Sequence, residues 1–175
     1  MGLILASGSA IRHQMLAQAG VDHMVVRPGV DESAAKAALD KPAAITVELA
    51  RAKALAVSRD RPGDWVIGSD SIVSVDGRQF DKPADRAQAA DHLRRFSDRT
   101  MVLTSAVALA QDGIAHWALA DEARLQVRPL SDAFIHRYLD AEWPDVGQCV
   151  GVFRMEGRGV QLFEIIDGSY FTILG

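Results

Sequence analysis

Short apolar runs alternate along this chain with segments in which apolar residues recur every three or four positions, a pattern that predicts strands alternating with helices. The apolar runs predict strands at 3–6, 21–28, 66–75, 100–110, 114–120, 123–128 and 160–166. The helical segments lie at 10–19, 33–39, 42–59, 85–96 and 131–141. Only short turns separate the strands that begin at residue 100, so we expect an antiparallel meander there and an α/β fold overall.

The middle of the chain carries a predicted hairpin with a charged residue on its first arm and another just beyond its second. The apolar strand at 66–75 is followed by an Asp-Gly turn, and the return arm leads to Lys82. Gly68 has no side chain and therefore allows another part of the protein to approach closely. Asp70 is a carboxylate inside an apolar strand, and its desolvation must be offset by an ion pair, water or a metal. This stretch alone is consistent with a structural Asp70–Lys82 ion pair and with a functional carboxylate.

The start of the chain has the layout of an anion-binding site. A short strand is followed by Ser7-Gly8-Ser9 and then by a helix for which Ser9 is the natural N-cap. Free backbone N–H groups and the helix dipole favour an anion at such a position, and Arg12 in the first turn can reach the same anion. The Walker pattern GxxxxGK[ST] is absent. An ordinary capped helix is the alternative interpretation.

Composition narrows the class of protein. The chain has 175 residues, which fits one domain or one domain with two lobes, and 49% of them are hydrophobic. A net charge of −4 argues weakly against nucleic-acid binding. Cys149 is the single cysteine, so no internal disulfide can form, which suits a reducing cytoplasm, and we expect a buried or half-buried thiol. No signal peptide or membrane-length apolar run is present, and the five histidines show no zinc spacing.

Acidic and basic residues on predicted loops and strand ends suggest one chemistry. Three carboxylates, two lysines and an anion-binding loop suit metal-assisted attack of water on a phosphoanhydride, with carboxylate oxygens binding Mg²⁺ or Mn²⁺. Lysine and arginine would neutralise the charge that builds up on the transferred group. An isolated lysine on an alanine-rich helix is otherwise expected to be solvated, and this alternative applies to Lys53. The candidate residues are Ser7, Ser9, Arg12, Glu32, Lys53, Asp70, Lys82 and Glu156.

Six segments in order along nearly the whole chain resemble the Maf family of nucleoside triphosphate pyrophosphatases. They are 3–12 (LILASGSAIR), 30–32 (VDE), 49–54 (LARAKA), 67–71 (IGSDS), 81–83 (DKP) and the stretch from 157 to 170. The chain departs from the family pattern at Ala10, where proline is usual, at Ile11, where arginine or tryptophan is common, and at Ser71, where threonine or glutamine is usual. Family members continue beyond the position of Gly175 with a Leu-Pro segment and a last helix, so we expect either a naturally short chain or a missing end.

The resemblance implies a fold, an activity and a set of roles. It implies a single domain over 1–175, with an elongated mixed β-sheet, flanking helices and two lobes around a central cleft, as in ITPase-like proteins. It implies metal-dependent hydrolysis of a nucleoside triphosphate between the α- and β-phosphates, and it allows a homodimer. Ser7, Ser9 and Arg12 would hold phosphate, and Lys53 and Lys82 would stabilise phosphate charge. Glu32 and Asp70 would handle metal and water, with Asp70 as the base.

The resemblance leaves two alternative functions open and raises the question of which nucleotide is the substrate. A nucleotide-binding regulator of septum formation and an inactive homologue are both consistent with a Maf-like sequence. Family members that favour dTTP and UTP have two basic residues where this chain has Ile11 and Arg12. Glu156 lies where some members carry glutamine, and an ionised carboxylate can pair with a donor-rich purine edge or a cationic methylated base. We therefore expect a modified purine nucleotide such as 7-methyl-GTP to be preferred over dTTP and UTP.

Overall fold

The computed structural model describes residues 1–175 as a mixed α/β protein. Its strands are β1 Leu3–Ala6, β2 Met24–Val26, β3 Trp65–Val75, β4 Arg78–Phe80, β5 Thr100–Gln111, β6 Ile114–Val127 and β7 Phe163–Asp167. Its helices are α1 Ala10–Gln18, α2 Ser33–Ala38, α3 Pro42–Ser58, α4 Arg86–Phe96, α5 Asp132–Glu142 and α6 Tyr170–Leu174. Two 3₁₀ turns cover Asp145–Gln148 and Arg158–Leu162. None of the helices combines the length and the apolar character that a membrane crossing needs.

All seven strands belong to one mixed sheet. The order is β2-β1-β3-β5-β6-β7, with β4 paired to β3 outside this path. β1 runs parallel to both β2 and β3, whereas β3 is antiparallel to β4 and β6 is antiparallel to β7. The last residue of β1 to pair with β3 is Ala6, which lies opposite Gly68. The predicted mixed sheet with flanking helices is therefore confirmed, and the predicted Asp-Gly hairpin joins β3 to β4.

The structure corrects the predicted elements in the second half of the chain. The strands predicted at 114–120 and 123–128 are one continuous strand, β6, because Asp121 and Glu122 are exposed acids with no glycine or proline to turn the backbone. The strand predicted at 160–166 is shifted to β7, and a 3₁₀ turn precedes it. The strand predicted at 21–28 is only three residues long.

Two compact units divide the chain, and each has its own core. The first comprises Met1–Ser71, Thr104–Asp121 and Gly175, and the second comprises Ile72–Leu103 and Glu122–Leu174. In the first unit, helix α3 packs on the sheet through Ala50, Ala54 and Val57. In the second, α4 and α5 cover the sheet with buried residues that include Leu93, Phe96, Ile135 and Leu139. The cleft expected from the resemblance stays a prediction, as does the single domain.

Candidate active site

Close packing of helix α3 on strand β3 brings a lysine to the buried aspartate. Gly68 and Asp70 lie two residues apart on β3 and therefore face the same side of the sheet. A Cβ atom on Gly68 would come within 2.1 Å of the Ala50 carbonyl oxygen and 2.7 Å of the Ala54 nitrogen. The expectation that Gly68 permits a close approach is thus confirmed, and the approaching element is α3, which carries Lys53.

Lys53 joins two carboxylates into what we call the acid–lysine cluster (Glu32, Lys53 and Asp70). Its Nζ lies 2.6 Å from Oδ1 of Asp70 and 2.7 Å from Oε1 of Glu32. The Lys53 and Asp70 side chains are only 12% and 10% exposed, whereas Glu32 is 38% exposed. The solvated-lysine interpretation is therefore wrong for Lys53. The expected structural partner of Asp70 is also corrected, because the lysine that contacts Asp70 is Lys53 rather than Lys82.

The loop before helix α2 presents Glu32 to the cluster. Oδ1 of Asp31 accepts a hydrogen bond of 2.9 Å from the Ser33 nitrogen and so closes a local turn at the start of α2. This bond lowers the pKa of Asp31. Glu32 is left to contact Lys53, and it also lies 3.7 Å from Lys36 one turn along the helix. Asp31 thus stabilises the local turn, whereas the adjacent Glu32 belongs to the acid–lysine cluster.

Burial raises the pKa of Asp70 above its ordinary value. Desolvation of the carboxylate is the largest cause, and the neighbouring Glu32 charge acts in the same direction. Lys53 opposes the rise through its charge and its hydrogen bond, and the charge of Arg12 opposes it further. An aspartate whose pKa is raised is a stronger base than an ordinary surface aspartate, and the Lys53 charge favours its ionised form.

Arg12 is the centre of a second group, the arginine cluster (Arg12 with Ser7, Ser69 and Ser71). Its Nη1 donates to the Ser69 carbonyl oxygen at 3.1 Å and, weakly, to Ser7 Oγ at 3.5 Å, while Nη2 donates to Ser71 Oγ at 2.9 Å. Its Nε donates to the Gly175 carbonyl oxygen at 2.5 Å. Burial lowers the pKa of Arg12, although the charges of Asp70 and Glu32 oppose this effect. The two clusters are thus electrostatically coupled.

The end of β1 explains how an arginine reaches the edge of β3. Pairing between these strands stops at Ala6 and Gly68, so no β1 residue pairs with β3 beyond that point. The Ser69 carbonyl oxygen accepts from Arg12 there. Ser9 is the N-cap residue of α1, as expected, but its side chain makes no capping bond; its nitrogen donates to Ser7 Oγ at 3.1 Å instead. The strand, serine loop and helix predicted at the N-terminus are therefore present, and Arg12 projects from them into the arginine cluster.

Ser7 was among the candidates, but the sequence did not predict that Ser69, Ser71 and Ser105 would form the polar surroundings of Arg12. Ser69 and Ser105 are buried, and Ser71 Oγ lies 2.9 Å from Ser105 Oγ on the neighbouring strand. Ser69 Oγ also donates to the Gly175 carbonyl oxygen at 3.0 Å. The available signal was the interruption of apolar strands by serine at these positions, since buried hydroxyl groups need hydrogen-bond partners.

Two predicted site residues, Lys82 and Glu156, belong to the second unit. Both act electrostatically on Cys149, whose pKa is raised to about 11 by burial and then by the Glu156 charge, with Lys82 opposing the rise. Cys149 is half-buried, as expected. The high pKa keeps this thiol protonated at neutral pH, so it is a poor nucleophile. Of the eight candidates, Ser7, Ser9, Arg12, Glu32, Lys53 and Asp70 lie together in the first unit.

The carboxylate oxygens of the acid–lysine cluster fit Mg²⁺ or Mn²⁺ better than Zn²⁺, for which cysteine and histidine ligands are usual. Glu32 and Asp70 converge on one cation, the Lys53 ammonium, so both carboxylates reach the same small region. No group of three or more His, Cys, Asp or Glu residues is placed to bind a metal. Mg²⁺ commonly uses one or two carboxylates and takes its remaining ligands from water and substrate phosphates.

Comparison with known proteins gives full-length matches. A model of the family described as Maf-like protein matches residues 2–175. A 7-methyl-GTP pyrophosphatase from Rhizobium johnstonii is 44% identical over 177 residues, covering 99% of this chain and 89% of that protein. A nucleoside triphosphate pyrophosphatase from Bradyrhizobium diazoefficiens is 43% identical over 175 residues, covering 99% and 87%. Among solved structures, a HAM1 protein from Coxiella burnetii has a TM-score of 0.49 and 15% identity, covering 73% of each chain.

Proposed function

Because this chain belongs to the Maf-like protein family, we propose that it hydrolyses a nucleoside triphosphate to a nucleoside monophosphate and pyrophosphate. The observation that carries the proposal is the contact between Lys53 and Asp70. Asp70 is the base, and the charges of Asp70 and Arg12 act on each other, so the base and the arginine belong to one site. Relatives more than 40% identical along the whole chain are named pyrophosphatases, which supports the same reaction class here.

In the proposed reaction, Asp70 accepts a proton from water as the water oxygen bonds to phosphorus. The water oxygen remains on the phosphate that is attacked, the bridging oxygen between the α- and β-phosphates leaves with the other product, and the proton on Asp70 then passes to solvent. One water is consumed and one phosphoanhydride is broken. Lys53 holds the Asp70 carboxylate in one orientation through its 2.6 Å contact. Arg12 and the serines of the β1–α1 loop donate hydrogen bonds to phosphate oxygens, which are the acceptors that arginine binds most strongly.

We also propose that Glu32 and Asp70 hold a divalent ion, Mg²⁺ or Mn²⁺, during the reaction. Such an ion would polarise a phosphoryl oxygen and lower the pKa of a bound water. Glu32 suits this role because its side chain is more exposed than that of Asp70 and so can reach a hydrated ion. Lys53 would then share the carboxylates with the ion, which reduces the repulsion between Glu32 and Asp70.

Lys82 and Glu156 complete the proposal from the second unit. Lys82 would stabilise charge on the phosphates, and Glu156 would accept hydrogen bonds from the base. An ionised carboxylate pairs with donor groups or with a cationic methylated purine, whereas the carbonyl edges of uracil and thymine offer it fewer donors. A wrong base would leave the carboxylate unpaired, and such mismatches can be strongly discriminated against. We therefore propose a preference for a modified purine triphosphate such as 7-methyl-GTP over dTTP and UTP.

The activity is tested by incubating the protein with a nucleoside triphosphate and Mg²⁺ and identifying products by phosphorus NMR. We expect nucleoside monophosphate and pyrophosphate in equal amounts, and no nucleoside diphosphate. Asp70→Asn should lower kcat by about 10²- to 10⁴-fold, the usual contribution of a general base. A nucleotide-binding regulator of septum formation, or an inactive homologue, would instead leave the triphosphate intact with both proteins.

The substrate preference is tested separately with a nucleotide panel scored by kcat/KM. We expect 7-methyl-GTP to exceed dTTP and UTP, and Glu156→Gln to reduce the difference. A higher kcat/KM for dTTP or UTP in the wild-type protein would overturn the assigned base while leaving the pyrophosphatase reaction in place.

A further inference from the structure

A compact turn in the second unit carries Glu156 on its outer side. The Arg154 carbonyl oxygen accepts hydrogen bonds from the nitrogens of Gly157 and Gly159, each at 3.1 Å, so the backbone from 154 to 159 closes on itself. Within this turn Met155 packs against the hydrophobic core, and the Glu156 side chain is exposed. The backbone position of Glu156 is therefore set by the turn on which it lies.

The turn has no room for a larger residue at Gly159 and little room at Gly157. A Cβ atom on Gly159 would lie 2.4 Å from the Arg154 carbonyl oxygen and 2.7 Å from the Arg154 nitrogen. A Cβ atom on Gly157 would lie 3.2 Å from Oε2 of Glu142. The backbone of the turn thus packs directly against itself and against the Glu142 carboxylate.

The Arg154 side chain ties the turn to helix α5 and to the 3₁₀ turn that follows it. Its Nη1 donates to Oδ2 of Asp145 at 2.7 Å, and its Nε lies 3.4 Å from Oε2 of Glu142. Glu142 is the last residue of α5, and its side chain is only 6% exposed. Neither Glu142 Oε2 nor Arg154 Nε has a hydrogen-bond partner, so the opposite charge of the other group, 3.4 Å away, is what offsets the burial of each. Each of these two buried atoms therefore depends on the other.

A buried carboxylate at this position is poorly explained by stability alone. The C-terminal end of a helix disfavours negative charge, and replacing a buried ion pair with apolar residues is often neutral or stabilising. What the arginine provides in addition is directionality, because its planar guanidinium is held between Asp145, which Nη1 contacts, and Glu142, which Nε contacts. Arg158, at the other side of the turn, also lies 3.9 Å from Oε1 of Glu142.

We propose that Glu142 is a positioning residue for nucleobase selection: through Arg154 it fixes the 154–159 turn and so fixes Glu156. This inference rests on the proposed function, specifically on Glu156 as the residue that contacts the base. It assigns to Glu142 no contact with substrate and no part in the hydrolysis itself. Loss of the Glu142 charge removes one of the two acids that hold Arg154, so the turn shifts relative to α5 and Glu156 no longer distinguishes bases.

The test compares Glu142→Gln with Asp140→Asn, a matched control on the same helix. Asp140 also pairs with an arginine, Arg86, but it is 71% exposed and has no contact with the turn. For each protein, kcat and KM are measured with 7-methyl-GTP and with UTP. We expect Glu142→Gln to reduce the ratio of the two kcat/KM values about tenfold, mainly through KM for the preferred nucleotide. Asp140→Asn should leave the ratio unchanged.

A double-mutant cycle separates positioning from general destabilisation. If Glu142 acts through Glu156, adding Glu142→Gln to Glu156→Gln causes no further loss of discrimination. Arg154→Lys keeps the positive charge but loses the fork, so it should reproduce the loss of discrimination with a folded protein. An unchanged ratio in Glu142→Gln, or additive losses in the double variant, would overturn the inference. Wild-type protein that hydrolyses no nucleotide would overturn the proposed function, and this inference with it.

Discussion

Nζ of Lys53 lies 2.6 Å from Oδ1 of Asp70, and both side chains are almost fully buried. The contact joins helix α3 to strand β3 at the point where Gly68 lets the two elements approach most closely. Because desolvation raises the pKa of Asp70 and Lys53 opposes that rise, the lysine controls the pH range in which Asp70 can act as a base.

The pH dependence of activity should therefore respond to Lys53. Replacing it with glutamine removes the main opposing charge, so the pKa of Asp70 should rise further. Since the base must be ionised, the acidic limb of kcat/KM against pH should move to higher pH in Lys53→Gln. Lys36→Gln is a suitable control, because Lys36 contacts Glu32 at 3.7 Å and is not among the groups that shift Asp70. An acidic limb that stays in place in Lys53→Gln would mean that another group titrates.

Stability should also depend on Asp70, with a sign opposite to that of most carboxylates. The folded protein raises the pKa of Asp70, so the unfolded state releases this proton more readily as pH rises. The stability that the protonated group provides is complete below the ordinary aspartate pKa of 3.8 and is lost as pH rises through the folded value. Asp70→Asn should accordingly unfold at an equal or higher urea concentration than wild type at pH 7.

Asp31→Asn, in the loop before helix α2, provides the opposite case. A hydrogen bond from the Ser33 nitrogen lowers the pKa of Asp31, so its ionised form contributes stability that is lost as pH falls through the folded value. We expect this variant to be less stable than wild type at pH 7, with the difference shrinking in acid. Urea titrations of both variants at several pH values would check the two signs together, and equal pH trends would contradict the prediction.

Metal dependence should be most sensitive to Glu32. Glutamine keeps the size of the side chain but removes a charged oxygen ligand, so the Mg²⁺ concentration for half-maximal activity should rise about tenfold or more. Thermal stability should change little, because Glu32 is 38% exposed. Glu48→Gln, an exposed acid on α3, is the control. A metal titration that Glu32→Gln leaves unaltered would make Glu32 a surface acid.

Gly68→Ala tests the contact between α3 and β3. The added methyl group would lie 2.1 Å from the Ala50 carbonyl oxygen, so the helix must move. Overpacking of this kind costs about 1–3 kcal/mol or more, and the displaced helix would carry Lys53 away from Asp70. We expect both the unfolding free energy and kcat to fall. Gly2→Ala, whose Cβ would have its nearest neighbour at 3.5 Å, should retain both.

Features with local causes could be predicted from the sequence. Asp85 and Ser131 begin α4 and α5 with side-chain capping bonds, and the Asp-Gly pair closes the β3–β4 hairpin. These signals act over two to four residues, so the chain order alone reveals them. The N-terminal strand, serine loop and helix were recognisable for the same reason.

Features that depend on packing could not be predicted in this way. Asp70 is closer in sequence to Lys82 than to Lys53. Its partner is nevertheless Lys53, because α3 packs closely on β3 at Gly68. Ser69 and Ser71 on β3 and Ser105 on β5 are polar exceptions in apolar runs, which shows that their hydroxyl groups need partners but does not identify Arg12 as one of them.

The close packing of α3 on β3 limits which substitutions this protein can accept over evolutionary time. Ala50, Ala54 and Gly68 leave no spare volume between helix and strand, so a larger side chain at Gly68 would shift the helix that carries Lys53. Substitutions at this contact therefore cannot adjust the Lys53–Asp70 geometry without also changing the packing of the core. Variants found here in a genetic screen would score as loss of activity, although the chemical groups themselves are intact. Suppressors of such variants should map to the buried face of α3 rather than to the charged residues.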